Sequence, residues 1–229
     1  MSMMADMHKQ IMWNRLISVV EEQALTLVRT AFSASVRESG DLSAGVFDRQ
    51  VNAMAAAVGN FINEIGADSI REGDIYFTND PWLGTGHLLD FTFCTPSFRN
   101  GQLAGFFACT AHVVDVGGRG FGPDANEVYE EGIFIPICRF ADVGEVDAKL
   151  VRLIRHNVRE ADQVIGDLYS LAACNEIGHR RLMDMMDEFD LEDLEALATF
   201  IFDHSHDATL QRLAGLKPGT YRNEMTVDG

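Results

Sequence analysis

His87 and Asp90 stand three residues apart in the stretch Asn79-Asp80-Pro81-Trp82-Leu83-Gly84-Thr85-Gly86-His87-Leu88-Leu89-Asp90, so one turn of chain can aim an imidazole and a carboxylate at a single point. His112, in Ala111-His112-Val113-Val114-Asp115-Val116-Gly117-Gly118, offers a second imidazole from a neighbouring strand. Two nitrogens and one carboxylate oxygen suit Zn, Mn or Fe(II) and leave coordination positions open, as a catalytic centre requires and a structural one does not. The same residues have a second reading. H-x-x-D arises often by chance, and a histidine beside an apolar run is commonly held in place by hydrogen bonds alone.

What must bring these residues together is a hairpin. Asp90 to Phe98 and Leu103 to Val116 are strand-like and flank Arg99-Asn100-Gly101-Gln102, a strong turn signal. Side chains alternate faces along a strand, so register decides whether Asp90 and His112 meet. A loop running from Arg99 to Gly101, with Gly101 left-handed, pairs Phe98 with Gln102. Asp90 then faces Thr110, and His112 lies one diagonal step away on the same face. A loop one residue shorter or longer separates the two unless a bulge intervenes. A metal site on this hairpin therefore requires an odd loop or a bulge.

The flanking segments read as support. Ile11, Leu16, Val19, Val20, Leu27, Val28, Ala31 and Phe32 recur at helical spacing, which predicts a long amphipathic helix from Met7 to Ser39 with room for one break. Gly40 stops it, and Leu42 to Phe47 is a short strand candidate. A helix over Val51 to Ile65 closes at Gly66, and a strand over Asp74 to Thr78 leads into the His87 stretch. Ile133 to Ile137 reads as a core strand. Helices follow over Asp147 to Arg159, Asp167 to Phe189 and Leu191 to Leu213, the last capped by Asp190, and Tyr221 to Val227 begins a further strand. Helices at both ends around a hairpin-based sheet give an α+β class with a central antiparallel or mixed sheet. The glycine-rich run Asp115 to Pro123 is neither a Walker loop nor G-x-G-x-x-G in a strand-helix setting. It offers backbone N-H groups to an anion or simply turns the chain out of the sheet.

Composition bounds the rest. At 229 residues the chain buries one good core, and a net charge of -17 repels a phosphate backbone, so nucleic-acid binding is not expected without a basic stripe. Acid is concentrated from Asp184 to Glu195, the pattern of a solvated helix face. The Met-rich start lacks a basic segment followed by an apolar run, and no window is long enough to span a bilayer. Cys94, Cys109, Cys138 and Cys174 are scattered without C-x-x-C, which predicts free thiols in a reducing compartment and a cytoplasmic protein.

The strings N-D-P-W-L-G-T-G-H-L-L-D, A-H-V-V-D-V-G-G, E-E-G-I-F-I-P, N-V-R-E and G-D-L-Y-S-L-A-A-C-N-E-I-G-H-R-R-L occur in order between Arg29 and Arg181. Together they resemble the hydantoinase B/oxoprolinase family, which includes B subunits of ATP-dependent hydantoinases and lactamases and the large subunits of acetone and acetophenone carboxylases. The segment Arg37-Glu38-Ser39-Gly40-Asp41-Leu42-Ser43 resembles the family's N-terminal signature, and the resemblance implies Asp41 as a fourth metal ligand. A helix-terminal aspartate that holds a turn is the alternative. Arg159, Arg180 and Arg181 resemble family positions and are candidates to hold a carboxylate or phosphate; ordinary ion pairs with the acidic surroundings are the favoured role.

Two departures from the family pattern stand out. Relatives carry a further loop of roughly a dozen residues between the segments matching Phe47-Asp48-Arg49-Gln50 and Val51-Asn52-Ala53-Met54, so Gln50 to Val51 reads as a join with a loop missing. Relatives also continue well beyond Gly229, so residues 1–229 read as the N-terminal, metal-binding part of a longer subunit.

The resemblance implies an ATP-dependent cyclic-amide hydrolase that opens hydantoin, 5-oxoproline or lactam rings, since a metal can polarise an unreactive amide carbonyl. The chain has no nucleotide motif, so ATP would be used on a partner, the ATP-binding A subunit of a hetero-oligomer. Asp115 and Glu131 are the candidates for proton transfer or for orienting a ligand. Carboxylation of a ketone by bicarbonate is the alternative within the family. A non-catalytic interaction subunit, which predicts no bound metal, is the alternative outside it.

Overall fold

The computed structural model describes residues 3–49, 56–120 and 122–226. Among the described residues six strands, β1 (Leu42–Asp48), β2 (Ile75–Thr78), β3 (Asp90–Arg99), β4 (Gln102–His112), β5 (Cys138–Asp142) and β6 (Glu145–Val146), form one sheet in the order β1-β4-β3-β2-β5-β6. Every pairing is antiparallel, which resolves the expected antiparallel or mixed sheet to the former. The helices are α1 (Met3–Thr30), α2 (Ala34–Arg37), α3 (Ala56–Ile65), α4 (Val128–Glu131), α5 (Ala148–Arg155), α6 (Ala161–Glu188) and α7 (Glu195–Ala214). The class is α+β, and none of the described helices is long and apolar enough to cross a membrane.

Alternation along the strands sends two sets of side chains in opposite directions. Phe77, Phe91, Phe93, Cys109 and Ala111 pack with Leu27 of α1 and Leu168, Leu171 and Cys174 of α6. Within this set the rings of Phe77, Phe93 and Phe140 lie 5.1–5.4 Å apart at steep angles, and each fully buried ring contributes about 1.5–3 kcal/mol. Tyr76, Cys94, Phe106 and Ala108 point the other way, against Val58 and Phe61 of α3. Asp90 and His112 have the parity of this second set, so they stand on the α3 face, at the end of the β3–β4 hairpin away from its turn.

The hairpin turn has two residues, not three. Asn100 (φ 52°) and Gly101 (φ 75°) are both left-handed, as a type I′ turn demands. Arg99 pairs with Gln102 and Phe98 with Leu103, a register that, continued, would set Asp90 against Ala111 and turn His112 to the opposite face. A bulge removes the problem: Ser97 pairs with Gly105, leaving Ala104 as the extra residue on β4. From there the register runs true to Asp90 opposite His112, a direct pair and not the expected diagonal.

The long N-terminal helix takes its one break after Thr30, where the backbone N-H groups of Phe32 and Ser33 turn to the buried carboxylate of Asp167, at 2.7 and 3.2 Å. Other expectations are corrected. Ile11 and Phe32, expected inside, are more than half exposed. Residues 133–137 form no strand: Ile133 donates to Val116 O, and Ile135 is held by Asn79 and Thr78, so their backbone groups are satisfied by loops. The strand comes later, as β5. Helix α6 starts before Asp167 and runs through Gly166, where a Cβ would meet the Phe32 ring at 2.4 Å; this glycine serves close packing and breaks nothing. Asp190 does not cap α7. It sits left-handed (φ 53°) just past α6, and Asp193 accepts from the first N-H of α7 instead. Residues 221–226 are exposed and form no strand. The proposed Gln50–Val51 join and the first turn of the helix expected from Val51 lie outside the described residues.

Candidate metal centre

The residues that precede β3 are fixed by polar side chains. Asn79 is buried, and its amide donates to Leu88 O (2.8 Å) and Ile133 O (2.9 Å) while accepting from Ile135 N (2.7 Å). Asp80 accepts from the N-H groups of Trp82 and Leu83, forming an Asx turn that Gly84 N closes onto Asp80 O at 2.8 Å. Gly86, at φ 113°, takes a conformation that side chains avoid, and the chain folds back to His87, whose carbonyl accepts from Asp90 N. On the other arm, His112 is held at both backbone groups: its N-H reaches Asp41 O (3.4 Å) and its carbonyl accepts from Ser35 Oγ (2.9 Å).

His87, Asp90 and His112 each present one ligand-type atom, and these atoms all lie within 4.8 Å of one another. Asp90 Oδ1 is 3.2 Å from His112 Nδ1 and 3.5 Å from His87 Nδ1, and the two imidazole rings stand nearly perpendicular with centroids 5.0 Å apart. Asp90 Oδ2 accepts from Thr85 Oγ1 at 2.7 Å. The side chains of Asp90 and His112 are 16% and 18% exposed, that of His87 40%, so the cluster is walled by protein and reached from solvent past His87. Among the described residues no lysine or arginine pairs with Asp90; its partners are imidazoles and a hydroxyl. That donor set, two imidazoles around one carboxylate oxygen without a competing side-chain cation, fits a Zn, Mn or Fe(II) ion.

The remaining expected residues fall around this centre unequally. Asp41 brings Oδ2 to 3.9 Å from His112 Nδ1, but its side chain is 63% exposed and stands outside the tight group. Asp115 is buried and occupied: Gly117 N, Arg159 N and the Arg159 guanidinium all donate to it. Burial alone would raise its pKa, but these donors outweigh it and hold the carboxyl below the usual range. Arg159 spends its other contacts on the carbonyls of Gly117 and Gly118, so this arginine clamps a turn leaving the sheet. Glu131 ends α4 with its backbone against Gly118, where a Cβ would fall 2.4 Å from the Glu131 carbonyl carbon. Arg180 pairs with Glu176, and Arg181 with Glu22 and Asp184, the ordinary ion-pair role. Sequence reasoning did not single out Asn79, Thr85 or Ser35, although Asn79 and Thr85 stand in the same motif as His87.

With the geometry in view, comparisons place the chain among known proteins. The sequence profile described as Hydantoinase B/oxoprolinase matches residues 6–229. The caprolactamase subunit beta of Pseudomonas jessenii is 29% identical over 202 residues, which cover 80% of this chain and 34% of that subunit. The crystal structure of the ATP-dependent caprolactamase from Pseudomonas jessenii superposes with a TM-score of 0.81 at 24% identity, over 93% of this chain and 39% of that one. A nucleotide-free acetone carboxylase structure follows with a TM-score of 0.72 at 22% identity, over 84% of this chain and 27% of that one. The two structural likenesses establish the fold. The chain spans well under half the length of curated relatives that it matches. A profile match across nearly the whole sequence carries the assignment: this chain belongs to the hydantoinase B/oxoprolinase family.

Proposed function

We propose that residues 1–229 form the metal-holding part of a subunit of an ATP-dependent cyclic-amide hydrolase, acting on hydantoin, 5-oxoproline or lactam rings with an ATP-binding partner of the A type. The observation that carries this reading is the meeting of His87, Asp90 and His112 within 4.8 Å on the accessible end of the hairpin. These three residues hold a divalent cation, and Asp41 is the fourth ligand when its exposed side chain turns inward from 3.9 Å. A cation held there supplies Lewis acidity to an amide carbonyl. His87, the most exposed of the three, borders the entry for substrate. Glu131 moves protons in this reading, and Asp115, already committed to Arg159, shapes the Gly117–Gly118 turn. ATP is used by the partner, because this sequence carries no phosphate-binding loop. The hetero-oligomer follows from the same division, and the related caprolactamase chain is itself named a beta subunit. A cytoplasmic site of action fits the four unpaired cysteines.

The test is to purify the subunit with its partner, measure bound metal, and assay ATP hydrolysis with hydantoins, 5-oxoproline, lactams and ketones, with and without bicarbonate. The expected result is about one metal per chain and ATP-dependent ring opening that His87→Ala and His112→Ala each abolish together with metal binding. Full activity and undiminished metal in both variants would end the assignment. Turnover of ketones only with bicarbonate would move the chain to the carboxylase branch, and absence of metal with full partner binding would make it an interaction subunit.

A further inference from the structure

We infer that Thr85 is a positioning residue that fixes Asp90 as a one-oxygen ligand, and so sets how many positions on the cation stay open. The inference rests on the metal-centre reading of His87, Asp90 and His112 and goes beyond it. A carboxylate can bind a cation through one oxygen or both. Here the two oxygens of Asp90 are divided: Oδ1 faces His112 Nδ1 at 3.2 Å and His87 Nδ1 at 3.5 Å, while Oδ2 receives the Thr85 hydroxyl at 2.7 Å. That is a short O-H···O contact. While it holds, Oδ2 is engaged by a donor, which favours coordination through Oδ1 alone.

The chain beneath Thr85 is built to keep it there. Gly84 N is bonded to Asp80 O, and a Cβ at position 84 would fall 2.9 Å from that oxygen and 3.4 Å from Thr92 Oγ1, so the loop lies flat on β3. Gly86, left-handed at φ 113°, then bends the chain so that a hydroxyl five residues before Asp90 lands on its carboxylate. The Thr85 side chain is at the surface, so truncating it opens no cavity in the core. A change in metal binding can therefore be separated from a change in folding.

The experiment strips the full chain of metal and titrates it with Zn(II) against a competing chelator and with Co(II) by visible absorption, for wild type, Thr85→Ala and Thr85→Ser. Removing an outer hydrogen bond to a ligand typically costs about 10–100-fold in metal affinity. Thr85→Ala is expected to lose that much for Zn(II) and to change the Co(II) bands, which report coordination number. Thr85→Ser is expected to restore both, with metal-free melting midpoints equal across the three proteins. Equal affinity and identical bands for Thr85→Ala overturn the inference while leaving the metal centre intact. A lowered metal-free midpoint that accounts for the whole affinity loss also overturns it, as a purely structural effect. Wild type that binds neither ion overturns the metal centre itself and this role with it.

Discussion

Asp115 shows how a single residue can carry stability through the donors gathered around it. Buried, and bonded by Gly117 N and by both the backbone and the guanidinium of Arg159, it stays ionised below the pH at which an ordinary aspartate protonates. A depressed native pKa contributes stability that is complete above the unfolded value near pH 4 and is lost as pH falls through the lower native value. Asp74, enclosed by Tyr76, Val143, Arg71 and Arg139, has the same sign, since its donors outweigh the upward push of burial. Urea midpoints followed from pH 7 down to pH 2 are expected to fall on the acid side, and Asp115→Asn is expected to flatten part of that fall; an unchanged acid limb would refute the role. Legibility at this scale followed side-chain type. His87, Asp90 and His112 were readable because imidazoles and a carboxylate advertise their chemistry at short spacing, and Asp41 because the motif around it resembles a family signature. Asn79 and Thr85 were not, because an amide or a hydroxyl acquires its partner only from the three-dimensional path of the loop.

At the level of elements, the β3–β4 hairpin decides whether there is a centre at all. The sequence marked the turn through Asn100-Gly101 and stated the condition, an odd loop or a bulge. It did not reveal which, because the bulge at Ala104 lies among residues whose alternation reads equally well in either register. The same ambiguity moved a strand from 133–137 to Cys138–Asp142: an apolar run is equally at home in a ladder or under a loop, and here Asn79 took its hydrogen bonds. Helix α6 presses on the hairpin from the other face through Gly178, where a Cβ would fall 2.6 Å from the Phe107 ring. Gly178→Ala is therefore expected to destabilise the protein by about 1–3 kcal/mol, the usual cost of overpacking a filled core. Urea denaturation measures it, and a neutral or stabilising substitution would show that α6 does not pack so tightly on β4.

Across the whole molecule, the division of labour is between two faces of one sheet. The α1–α6 face holds most of the aromatic core and backs the hairpin, and the α3 face leaves the end of that hairpin open, with His87, Asp90 and His112 at its edge. The α+β class was legible because helical periodicity at both ends and alternation between them are strong local signals. The strand order was not, since β4 lies between β1 and β3 and only tertiary packing brings the early strand Leu42–Asp48 beside it. That packing matters to the site, for it is β1 and the turn before it that bring Asp41 to the backbone N-H of His112.

The most direct measurement is anomalous diffraction at the metal absorption edge from crystals of the protein. A single peak with bonds of about 2.0–2.2 Å to imidazole nitrogens of His87 and His112 and to one oxygen of Asp90 is the predicted result. No peak at that position, or a metal bound elsewhere with these three side chains uninvolved, would contradict the account.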